Sequence, residues 1–160
     1  MSDATNDIYS MAGLLIRRLH QISTSVFTTR MKEAGLDLTP VQFGALSALA
    51  QNPDVDQATL AGLIAHDRVT MGAVLDRLQN KGFITRKVSP QDRRARVLSL
   101  TAKGRTALDK ALPIVQALQS EILSGLDETE TRQLLQLMRK AADAGNQRSR
   151  APLLFPRRPT

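Results

Sequence analysis

The sequence predicts a mainly α-helical chain with one small β-hairpin set into its middle. Three observations point that way. Apolar residues recur at helical spacing over most of the length. Aromatic residues make up only 3% with no Trp, so the core must be built from Leu, Ile, Val, Ala and Met. The clear alternation of period two falls between residues 83 and 100, split by a run of turn-forming and basic residues. At 160 residues the chain fits one domain, or one domain with an added helical layer.

Residues 7–34 read as one long helix, with Ile8, Met11, Leu15, Leu19, Ile22 and Val26 on a stripe and no internal Pro. Such a helix is roughly 40 Å long at about 1.5 Å per residue, more than the rest of a small chain covers. Thr39 and Pro40 supply an N-cap and a first helical residue for a second helix through Phe43, Leu46 and Leu49, ending near Asn52-Pro53. Asp56 caps a short third helix. Asp67 caps a fourth that runs to about Asn80 and stops at Lys81-Gly82. The segments 83–88 and 96–100 form the hairpin. Thr101-Ala102-Lys103-Gly104 opens a helix to about residue 123, which Pro113 should kink or split. Asp127 and Glu130 have capping-box spacing and open a last helix through Leu134, Leu135, Leu137 and Met138 to about Gly145. The tail 146–160 has too many prolines to stay helical. It reads as an irregular basic segment, unless Leu153, Leu154 and Phe155 pack on the dimer and its four Arg add non-specific phosphate attraction.

Charge is unevenly placed. Counting Lys and Arg against Asp and Glu, residues 81–105 carry +7 and residues 146–160 carry +4, while 1–65 carry −2, 66–80 are neutral and 106–145 carry −2. Basic charge confined to one hairpin and a tail suits a polyanionic partner better than a general solubility role. The chain has no Cys and only two His, with no phosphate-cradling glycine loop and no metal-ligand spacing, which argues against an enzyme and implies no cofactor. No apolar run is long enough to span a bilayer, and the acidic N-terminus is unlike a signal peptide, so a cytoplasmic location is expected.

Two short helices with a few residues between them make a helix-turn-helix, and a basic-tipped hairpin after the second makes it a winged helix. In the fourth helix Met71, Val74, Leu75 and Leu78 form the inward stripe, leaving Arg68, Thr70, Gly72, Ala73 and Arg77 to face a DNA groove. In the wing, Arg86, Arg93, Arg94 and Arg96 are candidate DNA contacts. An Arg at such a tip can enter a narrow minor groove, and Asp92 is an acceptor steadying a neighbouring guanidinium. Apolar helices at both ends suggest that two chains pair, setting two recognition helices about one DNA turn apart.

The segments "LTPVQF" (38–43), "DRVTM" (67–71), "DRLQNKGFI" (76–84) and above all "DRRARVLSLTAKG" (92–104) resemble the multiple-antibiotic-resistance regulator (MarR) family. The resemblance covers nearly the whole chain and implies a winged helix-turn-helix flanked by N- and C-terminal dimerisation helices. Residues 37–101 would be the DNA-binding domain, 1–36 and 102–145 the dimerisation region and 146–160 a basic tail. It implies a homodimeric repressor on double-stranded DNA with an inverted-repeat operator, with Arg94 the minor-groove arginine supported by Asp92 and Arg93, released by a small aromatic acid effector between the two regions. With no Cys, thiol oxidation is not its signal.

The effector candidates are Arg18, His20, Ser23 and Gln42. Arg18 lies about 60° from the centre of the first helix's apolar stripe, where a guanidinium needs an anion. That anion is either an effector carboxylate or Glu33, Asp37 or an acid of a partner chain. His20 lies on the side of Ile16, Ser23 and Phe27 and reads either as an ordinary surface histidine or as an effector contact. The competing functional reading is a basic architectural protein that coats DNA with little sequence preference.

Overall fold

A computed structural model describes residues 7–155; residues 1–6 and 156–160, the ends of the expected N-terminal region and basic tail, lie outside it. The described chain has six α-helices and a two-stranded antiparallel sheet. They are α1 (Ala12–Glu33), α2 (Pro40–Gln51), α3 (Gln57–Leu63), α4 (Arg68–Asn80), β1 (Ile84–Val88), β2 (Arg96–Leu100), α5 (Ala102–Ile122) and α6 (Glu128–Gly145). This is the expected mainly α architecture with a small β-wing.

Local chemistry sets the boundaries. Thr39 caps α2 by accepting from the Gln42 amide, while Gln42 returns a bond to the Thr39 amide. Asp56 accepts from the Thr59 amide at 2.7 Å and Asp67 from the Val69 amide at 2.8 Å, opening α3 and α4. Asp127 and Glu130 close the second capping box, both bonds at 2.9 Å. Gly82 ends α4 with φ +76°, a left-handed conformation that costs a residue with a Cβ about 1–2 kcal/mol.

Two expectations change. The first helix is not continuous from residue 7: Asp7 accepts from the Tyr9 amide and the Ser10 hydroxyl, folding Ile8–Ser10 into a 3₁₀ turn, and Met11 is extended before α1 begins. A short acid that bonds neighbouring donors competes with helix propagation. Pro113 does not split α5, which runs unbroken from 102 to 122. Pro113 and Asp109 are both exposed, so the Asp109 carbonyl that loses its helical donor faces solvent.

The core sits where α1, α2, α4, α5 and the wing base meet. It includes Phe27 and Met31 of α1, Leu46 and Leu49 of α2, Leu60 of α3, Met71, Leu75 and Leu78 of α4, Ile84 and Leu98 of the sheet, and Leu108, Ala111 and Leu118 of α5. Phe27 and Phe43 meet at 6.1 Å between ring centroids and lock α1 to α2. In the sheet Ile84 pairs with Leu100 and Val88 with Arg96, while Val55 bridges to Leu98 and ties the α2–α3 loop to the wing. Arg30 joins α1 to α5 through Glu121, with Glu33 as a second partner; those bonds hold its guanidinium still more firmly protonated.

The end of α4 is held from three sides. The Lys81 ammonium donates to the Asp37 carbonyl at 2.6 Å and to Gln42 Oε1 at 2.9 Å, and lies 3.1 Å from the Asp37 carboxylate. Thr101 donates to the Gly82 carbonyl at 2.6 Å while capping α5 through the Gly104 amide. A Cβ on Gly104 would collide with the Phe83 carbonyl, so only Gly lets α5 start so close to the wing.

Lys81→Met keeps most of the side-chain packing but leaves buried Gln42 without its cationic donor. It should destabilise the fold by about 1–3 kcal/mol in urea denaturation. An unchanged transition midpoint would show that this corner does not hold α4.

Candidate nucleic-acid interface

Helix α4 buries Met71, Leu75 and Leu78 and turns its other side to solvent. Arg68, Thr70, Ala73 and Arg77 are exposed, as the sequence reading expects. Gly72 is not part of that surface: it is half-buried, and a Cβ there would meet Gln57 of α3 at 3.5 Å. That spacing is ordinary van der Waals contact, so Gly72 sits beside α3 without being required there. The sequence reading missed Val69, which is 90% exposed beside Arg68 and Thr70. The signal was available, because Val69 falls about 120° from Leu75 around the helix, well off the inward stripe. An exposed Val at a groove surface offers an apolar contact of the kind that reads a thymine methyl. His66 was also missed: its Nε2 lies 3.0 Å from the Thr70 hydroxyl, which also bonds the Asp67 carbonyl at 3.2 Å. Together these bonds fix the Thr70 rotamer at the start of α4.

The wing tip is built from backbone bonds. Ser89 donates to the Ala95 carbonyl at 2.9 Å, Ala95 to the Asp92 carbonyl at 3.1 Å, and Gln91 to the Ser89 hydroxyl at 3.2 Å. Contrary to the sequence expectation, Asp92 holds no guanidinium. Its carboxylate accepts from the Arg94 backbone amide at 2.9 Å and shapes the turn itself. A short Asx side chain reaches the amide two residues on more readily than the end of a long Arg. Arg93, Arg94 and Arg96 are exposed and have no acidic partner among the described residues.

Arg86 is placed differently. It lies 2.8 Å from Asp76 and donates to Gln79 at 2.7 Å, joining β1 to the outer side of α4. Its charge is committed within the chain. The other wing arginines keep their donors free.

A family model described as MarR family matches residues 36–95, which span α2, α3, α4, β1 and most of the wing tip. The chain is 32% identical over 117 residues to the transcriptional regulator HosA of Escherichia coli, covering 73% of this chain and 87% of that one. The chain belongs to the MarR family. It is also 28% identical over 138 residues to the transcriptional repressor NicR of Pseudomonas putida, covering 86% of each chain. Its fold matches that of BpsR from Bordetella bronchiseptica with a TM-score of 0.79 at 26% identity, covering 85% of this chain and 96% of the other; that structure describes regulation of BpsR DNA binding by 6-hydroxynicotinic acid. This MarR-family chain is thus a transcription regulator with a winged-helix DNA-binding unit. No helix among its described residues is long and apolar enough to cross a membrane.

The four effector candidates are not gathered into one cavity. Arg18 and His20 are exposed on α1 and Ser23 is half-buried. The expectation that Arg18 borders a buried face fails within one chain, because the buried residues of α1 are Phe27 and Met31, near its C-terminal end. Both intrachain acids considered for Arg18 are engaged elsewhere, Glu33 with Arg30 and Asp37 with Lys81. Gln42 is buried and its amide oxygen serves the α2 cap and Lys81. A shallow groove of about 450 Å³ along α1 includes His20 together with Thr24 and Thr28, but not Arg18, Ser23 or Gln42.

Asp92→Ala removes a negative charge from the wing, so electrostatics alone favours tighter DNA binding. The turn it holds favours the opposite. Binding to a DNA duplex should weaken by about threefold to tenfold, at the scale of one lost hydrogen bond of about 1 kcal/mol. Tighter binding in a mobility-shift titration would refute the role given to Asp92.

Proposed function

We propose that this protein is a homodimeric repressor that binds an inverted-repeat operator and is released by a small aromatic carboxylic acid. The observation that carries the reading is the exposure of Arg68, Val69, Thr70 and Arg77 on α4 together with the exposed, unpaired Arg93, Arg94 and Arg96 of the wing that follows it. Helix α4 supplies a narrow face of small and polar side chains suited to the major groove. The wing supplies guanidinium groups suited to phosphates and a narrow minor groove. In this reading Asp92 orders the tip and Arg86 buttresses α4 while contributing to the positive field.

Support for the dimer comes from apolar surface with no cover in a single chain. Helix α6 buries none of its residues, and Leu135, Leu137 and Met138 are exposed; at the N-terminal end Ile8, Tyr9, Met11, Leu15, Ile16 and Ile22 are exposed as well. Patches of this kind on a soluble domain mark interaction sites. Residues up to 36 and 102–145 would form the dimerisation region and residues 37–101 the DNA-binding domain. NicR's designation as a repressor supports the sign of control, and BpsR's response to 6-hydroxynicotinic acid supports an aromatic acid as effector. Arg18, His20 and Ser23 are the proposed contacts to that acid, and Gln42 remains a candidate although its oxygen already serves the α2 cap and Lys81. Arg18 is a suitable anchor because a guanidinium binds a carboxylate through two parallel bonds.

The deciding experiment compares binding to the DNA upstream of the protein's own gene with binding to random DNA, with and without a panel of aromatic acids. Tight, selective binding lost on adding one acid is expected. Equal binding to both DNAs, insensitive to every acid, would overturn the reading. Arg94→Ala should weaken binding to either DNA and lower the salt slope by about one, whereas Thr70→Ala should weaken operator binding more than random binding. Leu137→Glu together with Met138→Glu should give a monomer in sedimentation, and an unchanged dimer would place the interface elsewhere. Arg18→Ala should leave DNA binding nearly intact and abolish release by the acid.

A further inference from the structure

The segment after α6 is seated against the helix-turn-helix. Asn146 donates to the Leu153 carbonyl at 3.0 Å and accepts from the Leu153 amide at 2.8 Å, closing residues 146–153 into a loop. The Leu154 amide donates to the Gly62 carbonyl of α3 at 2.8 Å. The Leu154 side chain lies against Gly62 so closely that a Cβ at residue 62 would overlap it, and the three atoms nearest that Cβ position all belong to Leu154. Beside this seat, Arg150 lies 3.4 Å from Asp67 Oδ2, while Oδ1 of the same carboxylate caps α4.

We propose that residues 146–155 form a clasp that holds Arg150 at the start of the recognition helix as an additional contact to DNA phosphates. Three observations favour this use. The tail carries four Arg and no acid. Asp67 is a negative charge two residues from exposed Val69 at the DNA-facing end of α4, and Arg150 offsets its repulsion of phosphate. The Arg150 side chain remains 89% exposed, with only one of its amino groups at Asp67, so it retains free donors. The clasp makes these donors available at little entropic cost, because Leu154 and Asn146 already fix the loop.

The inference rests on the DNA-binding reading above, and a random-sequence duplex separates the two. Binding is measured by fluorescence anisotropy between about 50 and about 200 mM salt. Arg150→Ala should weaken binding severalfold at the lower salt and reduce the slope of log affinity against log salt by about 0.9. Gly62→Ala evicts Leu154 without changing any charge and favours the helix it sits in, so the protein still folds. It should reproduce most of that loss, and Gly62→Ala combined with Arg150→Ala should lose little beyond Arg150→Ala alone. A wild-type slope in both single variants overturns the clasp while leaving the DNA reading intact. Tighter binding by either variant overturns it too, by showing that the tail covers the DNA-facing surface. A wild-type protein that binds no duplex at low salt ends both readings.

Discussion

The position of the recognition helix depends on the corner Lys81-Gly82-Phe83. Four elements converge there. Lys81 ties the end of α4 to the α1–α2 loop through Asp37 and to α2 through Gln42. Gly82 turns the chain, and its carbonyl receives the Thr101 hydroxyl at the start of α5. Gly104 then allows α5 to approach the Phe83 backbone. Breaking the Lys81–Gln42 bond is costly because Gln42 is buried, whereas the Asp37 acceptors are exposed and water can replace their donor. The end of α4 is thereby tied to α5 and α2. The wing is fixed to the same body through the Val55–Leu98 bridge and the Arg86–Asp76 pair. Reading head and wing move as one unit.

The arginines of this unit divide by whether an acid lies within reach of their own element's neighbours. Arg86 faces Asp76 across the α4–β1 junction and is committed to structure; Arg93, Arg94 and Arg96 lie beyond the reach of Asp76 and beside an Asp92 whose acceptor is taken by a backbone amide. Exposed ion pairs contribute little stability, so Arg86 matters more for orienting β1 on α4 than for its energy. The free arginines contribute nothing to folding and carry their charge to the surface. That division makes the tip a site of high positive potential on an otherwise nearly balanced chain.

The helix boundaries were legible because capping is a local interaction. Thr39, Asp56, Asp67, Thr101 and Asp127 each bond an amide two or three residues on, and that geometry follows from the sequence alone. The inward stripe of α4 and the alternation of the wing were legible for the same reason. Contacts across elements were not. Nothing in the local pattern pairs Arg86 with Asp76, Lys81 with Gln42 or Leu154 with Gly62. Gly72 was misplaced because a glycine has no side chain to mark its face, and only the approach of Gln57 reveals it. The N-terminal helix was overextended because apolar spacing continues through Ile8 and Met11 although Asp7 breaks the helix. Among the candidate site residues, the wing and α4 positions were recoverable from periodicity, whereas Gln42 combined a capping role with a cross-element bond that sequence does not show.

The α1 candidates share a helix with the apolar surface left open in one chain. Arg18 and His20 lie between exposed Leu15, Ile16 and Ile22, on the part of α1 that its own chain leaves exposed, and half-buried Ser23 follows. In the proposed dimer, any wall closing over Arg18 must therefore come in part from the other protomer. An acid bound there touches both halves and favours one dimer geometry over another. Helix α1 packs on α5 through the Arg30–Glu121 pair and the Met31 core contacts, and α5 is fixed to the end of α4. A ligand that selects the angle between protomers selects the distance between recognition helices by the same step. Thermodynamic reciprocity then requires DNA to weaken the acid by the factor by which the acid weakens DNA. In the proposed dimer the bonded corner at Lys81 would serve such coupling, since a loose joint there would absorb a movement before it reached the groove.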